Sequence, residues 1–199
     1  MKKLFLLVVT IIFFNNLAFS VTYNSNPKIF ITELVGDAIK TLSDKSITDE
    51  EKRRTISKIA LENVDINALG LYTLGNIRKT VDKDILNSYQ KLFEKYFLKS
   101  LTSRLSDYSN NKFEVLGSDQ KSSNYTIVSS KILESNNQPE IKIDWRVFTK
   151  NPNKPLIRDL VVEGLSLART QKEEFASILN SNNNDIGALM AKLEEFISK

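Results

Sequence analysis

The sequence predicts an α+β fold, with N-terminal helices packed on an antiparallel sheet of about four strands and two helices closing the chain. Three observations carry this. Apolar residues recur at helical spacing from Pro27 to about Leu105. Between about residues 112 and 168 the period changes to two. From about Thr170 the helical period returns. Helices and strands that are segregated along the chain mark α+β architecture rather than a parallel α/β sheet. There is no internal repeat of fixed period.

The helical part spans about residues 27–108. Pro27 suits a first helical turn, and Phe30, Leu34, Ala38 and Leu42 recur every four residues with Ile31, Val35 and Ile39 beside them. Thr48 and Glu51 have the spacing of a capping box and open a second helix with Ile56, Ile59 and Ala60 on its apolar face. Asp65 can cap a short third helix carrying Ile66, Leu69, Tyr72 and Leu74, which ends near Gly75. Asp82 can cap a long fourth helix whose stripe runs through Ile85, Leu86, Tyr89, Leu92, Phe93, Tyr96, Phe97 and Leu101.

Strands are expected over Phe113–Leu116, Tyr125–Leu133 and Ile141–Phe148, with Asn136–Pro139 turning between the last two. In the third, Ile141, Ile143, Trp145 and Val147 share one face, while Lys142, Asp144 and Arg146 share the other. The loop Asn151–Pro155 leads into a fourth strand region, Leu156–Leu167, in which Gly164 reads as a bulge or close-contact point. Two helices, about Thr170–Leu179 and Asp185–Ser198, are split by the polar stretch 180–184.

The N-terminus bears on compartment. Lys2 and Lys3 precede an apolar run, Leu4–Phe14, and Ala18 and Ser20 are small residues at the two positions a signal peptidase reads. This is the anatomy of a secretory signal peptide over residues 1–20, with cleavage expected after Ser20. The run is shorter than the roughly 20 residues of a spanning helix. Residues 21–199 then form one domain, expected to be soluble and monomeric.

Composition excludes several chemistries. The chain has no cysteine and no histidine. Disulfides, ordinary zinc sites and nucleophile–histidine arrangements are therefore absent. The formal charge is +4, and cleavage removes two of the 28 basic residues and none of the 24 acidic ones. That weak, dispersed charge does not form the basic stripe of a nucleic-acid binder.

Several segments carry a family resemblance. Val64-Asp65-Ile66-Asn67-Ala68-Leu69, continuing through Tyr72 to Leu74-Gly75, is similar to a V-D-I-x-A-x-x-x-Y-x-L-G stretch. The long helix, with Tyr89, Phe93, Tyr96 and Leu101–Leu105 and a Tyr at 108, has a counterpart as well. So does Arg158–Leu167, which resembles a D-x-x-V-E-G-x-S-L strand and leads into a helix with Phe175–Leu179. In this order and at these separations they resemble the MlaC-type phospholipid-binding proteins, also called toluene-tolerance proteins. The chain departs from that pattern at Ile77-Arg78, where aromatics are usual, and at Pro155-Leu156, in place of a Lys-Trp pair.

The resemblance implies a strongly curved sheet of the nuclear-transport-factor type, with an apolar cavity between sheet and helices for acyl chains. It implies a periplasmic carrier of diacyl phospholipid, without cofactor. Its expected partners are an inner-membrane ABC transporter complex bearing MCE domains and an outer-membrane lipoprotein–porin complex. The implied role is maintenance of outer-membrane lipid asymmetry in a Gram-negative cell. The cavity-lining candidates are Leu69, Tyr72, Leu74, Phe93, Phe97, Leu101, Ile143, Trp145, Val147, Leu160, Val162 and Leu165. Periodicity turns these side chains inward, but the same pattern fits an ordinary packed core. Aspartate at Phe97 or Val147 is expected to reduce lipid retention more than it perturbs the fold.

Two other readings stay open at this point. One is a carboxylate-based hydrolase using Asp144 with Asp159 or Glu163. The other is a periplasmic scaffold with a filled core and no ligand. Among the charged residues, Asp65 reads as a helix cap, Glu163-Gly164 as a curvature point with a solvent-facing acid, and Arg78, Lys79, Arg104 and Arg146 as surface charge.

Overall fold

The computed structural model describes residues 22–105, 112–134 and 139–199. The leader (1–20), the family tyrosine at 108 and most of the Asn136–Pro139 turn lie outside these. Six α-helices and five strands follow in the order α1 (Pro27–Ser43), α2 (Asp49–Asn63), α3 (Ile66–Thr73), α4 (Lys83–Leu105), β1 (Phe113–Ser122), β2 (Tyr125–Ile132), β3 (Ile141–Phe148), β4 (Leu156–Val162), β5 (Leu165–Ser166), α5 (Leu167–Ser181) and α6 (Ile186–Ser198).

Local chemistry accounts for the helix starts. Asn26 caps α1 ahead of Pro27, accepting from the amides of Lys28 and Ile29. Thr48 and Glu51 close a reciprocal capping box on α2. Asp65 accepts from the amide of Ala68 at the start of α3. Asp82 accepts from the amide of Asp84 at the head of α4. Between α3 and α4 the sequence reading has no element. There, Gly75 adopts φ +59° and opens a 3₁₀ turn, Gly75–Lys79.

The sheet is an antiparallel meander in the order β1-β2-β3-β4-β5. Register shifts in β1 near Leu116 and Lys121, and between β3 and β4 at Arg146/Val147, are the irregularities that bend such a sheet. β1 is longer than expected, since Gly117–Ser122 continue the pairing despite their polar sequence. The fourth strand region divides. Glu163 (φ +48°) and Gly164 (φ +82°) form a two-residue hairpin turn, so Gly164 is a turn residue rather than a bulge. This makes five strands instead of about four. α5 likewise starts at Leu167, because the Ser166 side chain caps it by accepting from the Arg169 amide.

The apolar side chains fall into two cores. In one, α3, α4, α5 and α6 enclose Ile66, Leu74, Tyr89, Phe93, Phe175, Leu179, Ile186, Leu189 and Leu193. In the other, α1 packs Phe30, Ile31 and Leu34 onto Val128, Val147 and Ile157 of the sheet, with Tyr23 alongside. Val64 touches both.

The joint between them is polar as well. Val64 and Ile157 form an isolated parallel bridge, and the Asp65 amide donates to the Ile157 carbonyl at 2.9 Å. Arg158 donates through Nε and Nη2 to Asp65 Oδ2, each at 2.8 Å, and its guanidinium lies 3.4 Å from the Phe148 ring centroid. The family-type Asp65 is therefore both a helix cap and the anchor of a charge-assisted clamp between helices and sheet.

Candidate functional site

On the inner face of the sheet, partly covered apolar side chains line up in continuous cross-strand rows. Directly paired antiparallel residues share a face. Val128, Trp145 and Leu160 form one cross-strand row, and Ser130, Ile143, Val162 and Leu165 form the next. A third row continues through Phe113, Ile132 and Ile141.

α1 lies across β1 and β2 and covers only part of this face. Val128 and Val147 are 0 % exposed beneath it. Trp145, Leu160, Ile143 and Val162 are half-buried, and Leu165 at the far end is 69 % exposed. An apolar strip thus runs from the packed core out to solvent. Large contiguous apolar surface that a protein leaves uncovered marks a place for a partner or ligand.

Polar atoms on this face are paired, which keeps the strip apolar. Trp145 Nε1 donates to Ser130 Oγ at 2.8 Å, and Ser130 Oγ donates to the Ile143 carbonyl at 3.0 Å. Phe113 meets the Trp145 ring edge-on, with centroids 6.2 Å apart.

The other sequence-derived candidates lie elsewhere. Leu74 and Phe93 are buried in the helical core, and Leu69 and Phe97 pack against it. Phe93 contacts the rings of Tyr89, Tyr96, Phe97 and Phe175 and lies against Gly70, where a Cβ would come within 2.9 Å of its ring. These side chains meet protein. Tyr72 is exposed beneath Lys172, whose Nζ lies 5.1 Å from the ring centroid. Leu101 is half-buried on α4. Val147 belongs to the closed end of the sheet core, so an aspartate there burdens folding directly, unlike the expectation from sequence. At the two departures from the family pattern, Ile77 packs on the helical core, Arg78 Nη1 donates to the Leu71 carbonyl at 3.0 Å, and Pro155 is buried.

Residues outside the sequence-derived lining candidates complete the open face. Phe113 and Val115 on β1 and Ile59 on α2 pack at its margin. For Phe113 and Val115 the signal was the cross-strand register, which a single strand's pattern does not contain.

The acids of the hydrolase reading are held by structural partners. Asp159 is buried and takes Arg146 Nη1 at 3.2 Å, Ser166 Oγ at 2.6 Å and the Ala168 amide at 2.9 Å. Asp144 accepts from Ser129 Oγ at 2.6 Å, and Glu163 accepts from the Lys142 amide. In the helical core, burial pushes the Tyr89 phenol well above its ordinary value, and its hydroxyl is paired with Thr73 at 2.8 Å. Among the described residues no group of acids is placed to hold a metal ion, and no helix is long and apolar enough to cross a membrane.

Comparison with known proteins adds the following. The family model described as "MlaC protein" matches residues 32–195. Among solved structures, the chain is similar to the phospholipid-binding protein from Ralstonia solanacearum determined in complex with a phospholipid. The TM-score is 0.69 at 19 % sequence identity, over 84 % of this chain and 94 % of that one. At that identity the likeness shows the fold: helices on a curved five-stranded antiparallel sheet. No curated protein sequence matches.

Proposed function

The chain belongs to the MlaC family, and we propose that it is a phospholipid carrier whose acyl chains lie on the open inner face of the sheet. The observation that carries this reading is the half-covered apolar strip through Trp145, Leu160, Ile143, Val162 and Leu165. The similar Ralstonia protein was determined with a phospholipid bound, which supports the same reading. We assign lining roles to these five residues, with Phe113 and Ile141 at the margin. Leu74, Phe93 and Val147 act as supports behind the site.

A diacyl lipid has about 30 apolar carbons, and at about 0.8 kcal/mol each their exposure to water costs on the order of 25 kcal/mol. Free diffusion of such a molecule across an aqueous space is negligible. A protein with an uncovered apolar strip offsets that cost by replacing water along the chains. In the complete reading, the leader is removed after Ser20 and the protein works in the periplasm. It exchanges phospholipid with an inner-membrane MCE-domain ABC transporter complex and an outer-membrane lipoprotein–porin complex, and so maintains outer-membrane lipid asymmetry. The chemistry is transfer without bond cleavage.

A transfer assay tests this. Donor vesicles carrying a labelled diacyl phospholipid are mixed with unlabelled acceptors, with and without the secreted protein. Transfer should rise in proportion to protein concentration, with the lipid unhydrolysed. A rate independent of protein contradicts carriage, and release of fatty acid would favour the hydrolase reading.

A further inference from the structure

A second feature lies at the seam between the two cores. An open cleft of about 620 Å³ separates α2 from α4 and is lined by Glu50, Arg53, Arg54, Ser57, Leu98, Lys99, Thr102 and Ser103. Three cations face one acid. Arg53 and Arg54 are exposed, and neither takes part in an ion pair among the described residues. Arg54 exerts only a through-space pull on Glu51, whose carboxylate is occupied by Thr48 of the capping box. Lys99 is held in place, donating to the Ile197 carbonyl at 2.8 Å with its Nζ 5.9 Å from the Phe196 ring centroid. An ammonium has three donors, so this leaves some of its capacity for a ligand.

The cleft is also amphipathic. Leu98, its one apolar lining side chain, packs on the helical core. On α2, Ile56 and Ala60 are buried one helical step from Arg53 and Ser57, and Ile59 reaches the sheet core. Another cleft, of about 270 Å³, is lined by Asn67, Asn87, Gln90, Lys91 and Glu94, one cation to one acid, and has no such charge excess.

We infer that the α2–α4 cleft binds the phosphodiester of a net-anionic phospholipid headgroup through Arg53 and Arg54, giving the carrier a preference for acidic over zwitterionic lipids. The inference rests on the carrier reading above. Guanidinium is suited to it because its planar donor fork matches two phosphate oxygens. A zwitterionic headgroup brings an ammonium into a cleft where cations are already in excess. An acidic one brings only the complementary charge.

Full-length protein, expressed with its leader and recovered from a periplasm, would be stripped of lipid and incubated with vesicles containing equal amounts of phosphatidylglycerol and phosphatidylethanolamine. The lipids bound to the reisolated protein would be counted by mass spectrometry. Presenting both lipids in one membrane removes differences in adsorption. The expected result is an enrichment of phosphatidylglycerol of about five- to tenfold, the scale of two accessible charge pairs, falling as salt is raised. R53E/R54E should abolish or invert it. R53Q/R54Q, which keeps good helix formers on an exposed face, should bring the ratio to about one without altering thermal stability.

Uptake of both lipids without enrichment, or enrichment that survives in R53Q/R54Q, overturns the inference and leaves the carrier reading standing. Uptake of neither lipid overturns both. Inorganic phosphate alone, titrated calorimetrically, distinguishes the remaining source. Binding that is lost in R53Q/R54Q while the lipid ratio stays near one would make the cleft a free-phosphate site and overturn the headgroup assignment.

Discussion

Ile143→Asp and Val162→Asp, made separately, are expected to strip the protein of bound phospholipid while leaving it folded. The two residues are cross-strand partners, half-buried at the open end of the inner sheet face. In the lipid-free protein, a carboxylate at either position reaches water at the open edge, so folding loses only about 1–3 kcal/mol of strand preference and apolar burial. With lipid present, the same carboxylate would have to give up water against methylene groups. That desolvation costs several kcal/mol even after partial relaxation, which is a hundredfold or more in affinity. Phosphorus content per protein should fall at least about tenfold, with a thermal midpoint no more than about 10 °C below the parent. Unchanged lipid content would remove this strip from the cargo site.

Phe93→Ala should do the reverse. Phe93 is buried at the centre of the helical core, against four aromatic rings and the backbone at Gly70. Truncating a phenylalanine in such a setting leaves a cavity and costs about 3–5 kcal/mol. For a chain of this size that lowers the melting temperature by about 10 °C or more. Protein that remains folded at low temperature should retain its lipid, because Phe93 supports the site from behind rather than touching cargo. Lipid loss without a drop in stability would place Phe93 in the cavity after all. The pair of predictions separates residues that periodicity places in one class.

Much of the architecture was legible because its signals are local. The capping box at Thr48 and Glu51, the aspartates before α3 and α4, and the alternation along β3 each specify an element from a few neighbouring residues. Elements set by distant partners were not. The polar end of β1 is a strand because β2 pairs with it. The Glu163-Gly164 turn looked like a continuous strand because both flanks are apolar, and only the left-handed backbone separates β4 from β5.

The site divides the same way. An inward position in α4 and an inward position in β3 look alike along the chain. In three dimensions Phe93 faces other helices, whereas Trp145 lies on a sheet face that α1 only partly covers. Coverage depends on where α1 and α2 come to rest, which no periodicity within β3 records. Asp65 is a further example. Its capping role follows from its place before α3, but its clamp to Arg158 crosses 93 positions of sequence.

The most direct test of the account is the lipid content of the protein as it is made. The protein would be secreted, purified from a bacterial periplasm without detergent, and extracted with organic solvent for mass spectrometry. Diacyl phospholipid should be found at close to one molecule per chain, released only when the protein unfolds or meets acceptor membranes. Lipid-free protein that also takes up none from vesicles would contradict it, and the strip along Ile143, Trp145, Leu160, Val162 and Leu165 would then be a surface for another protein.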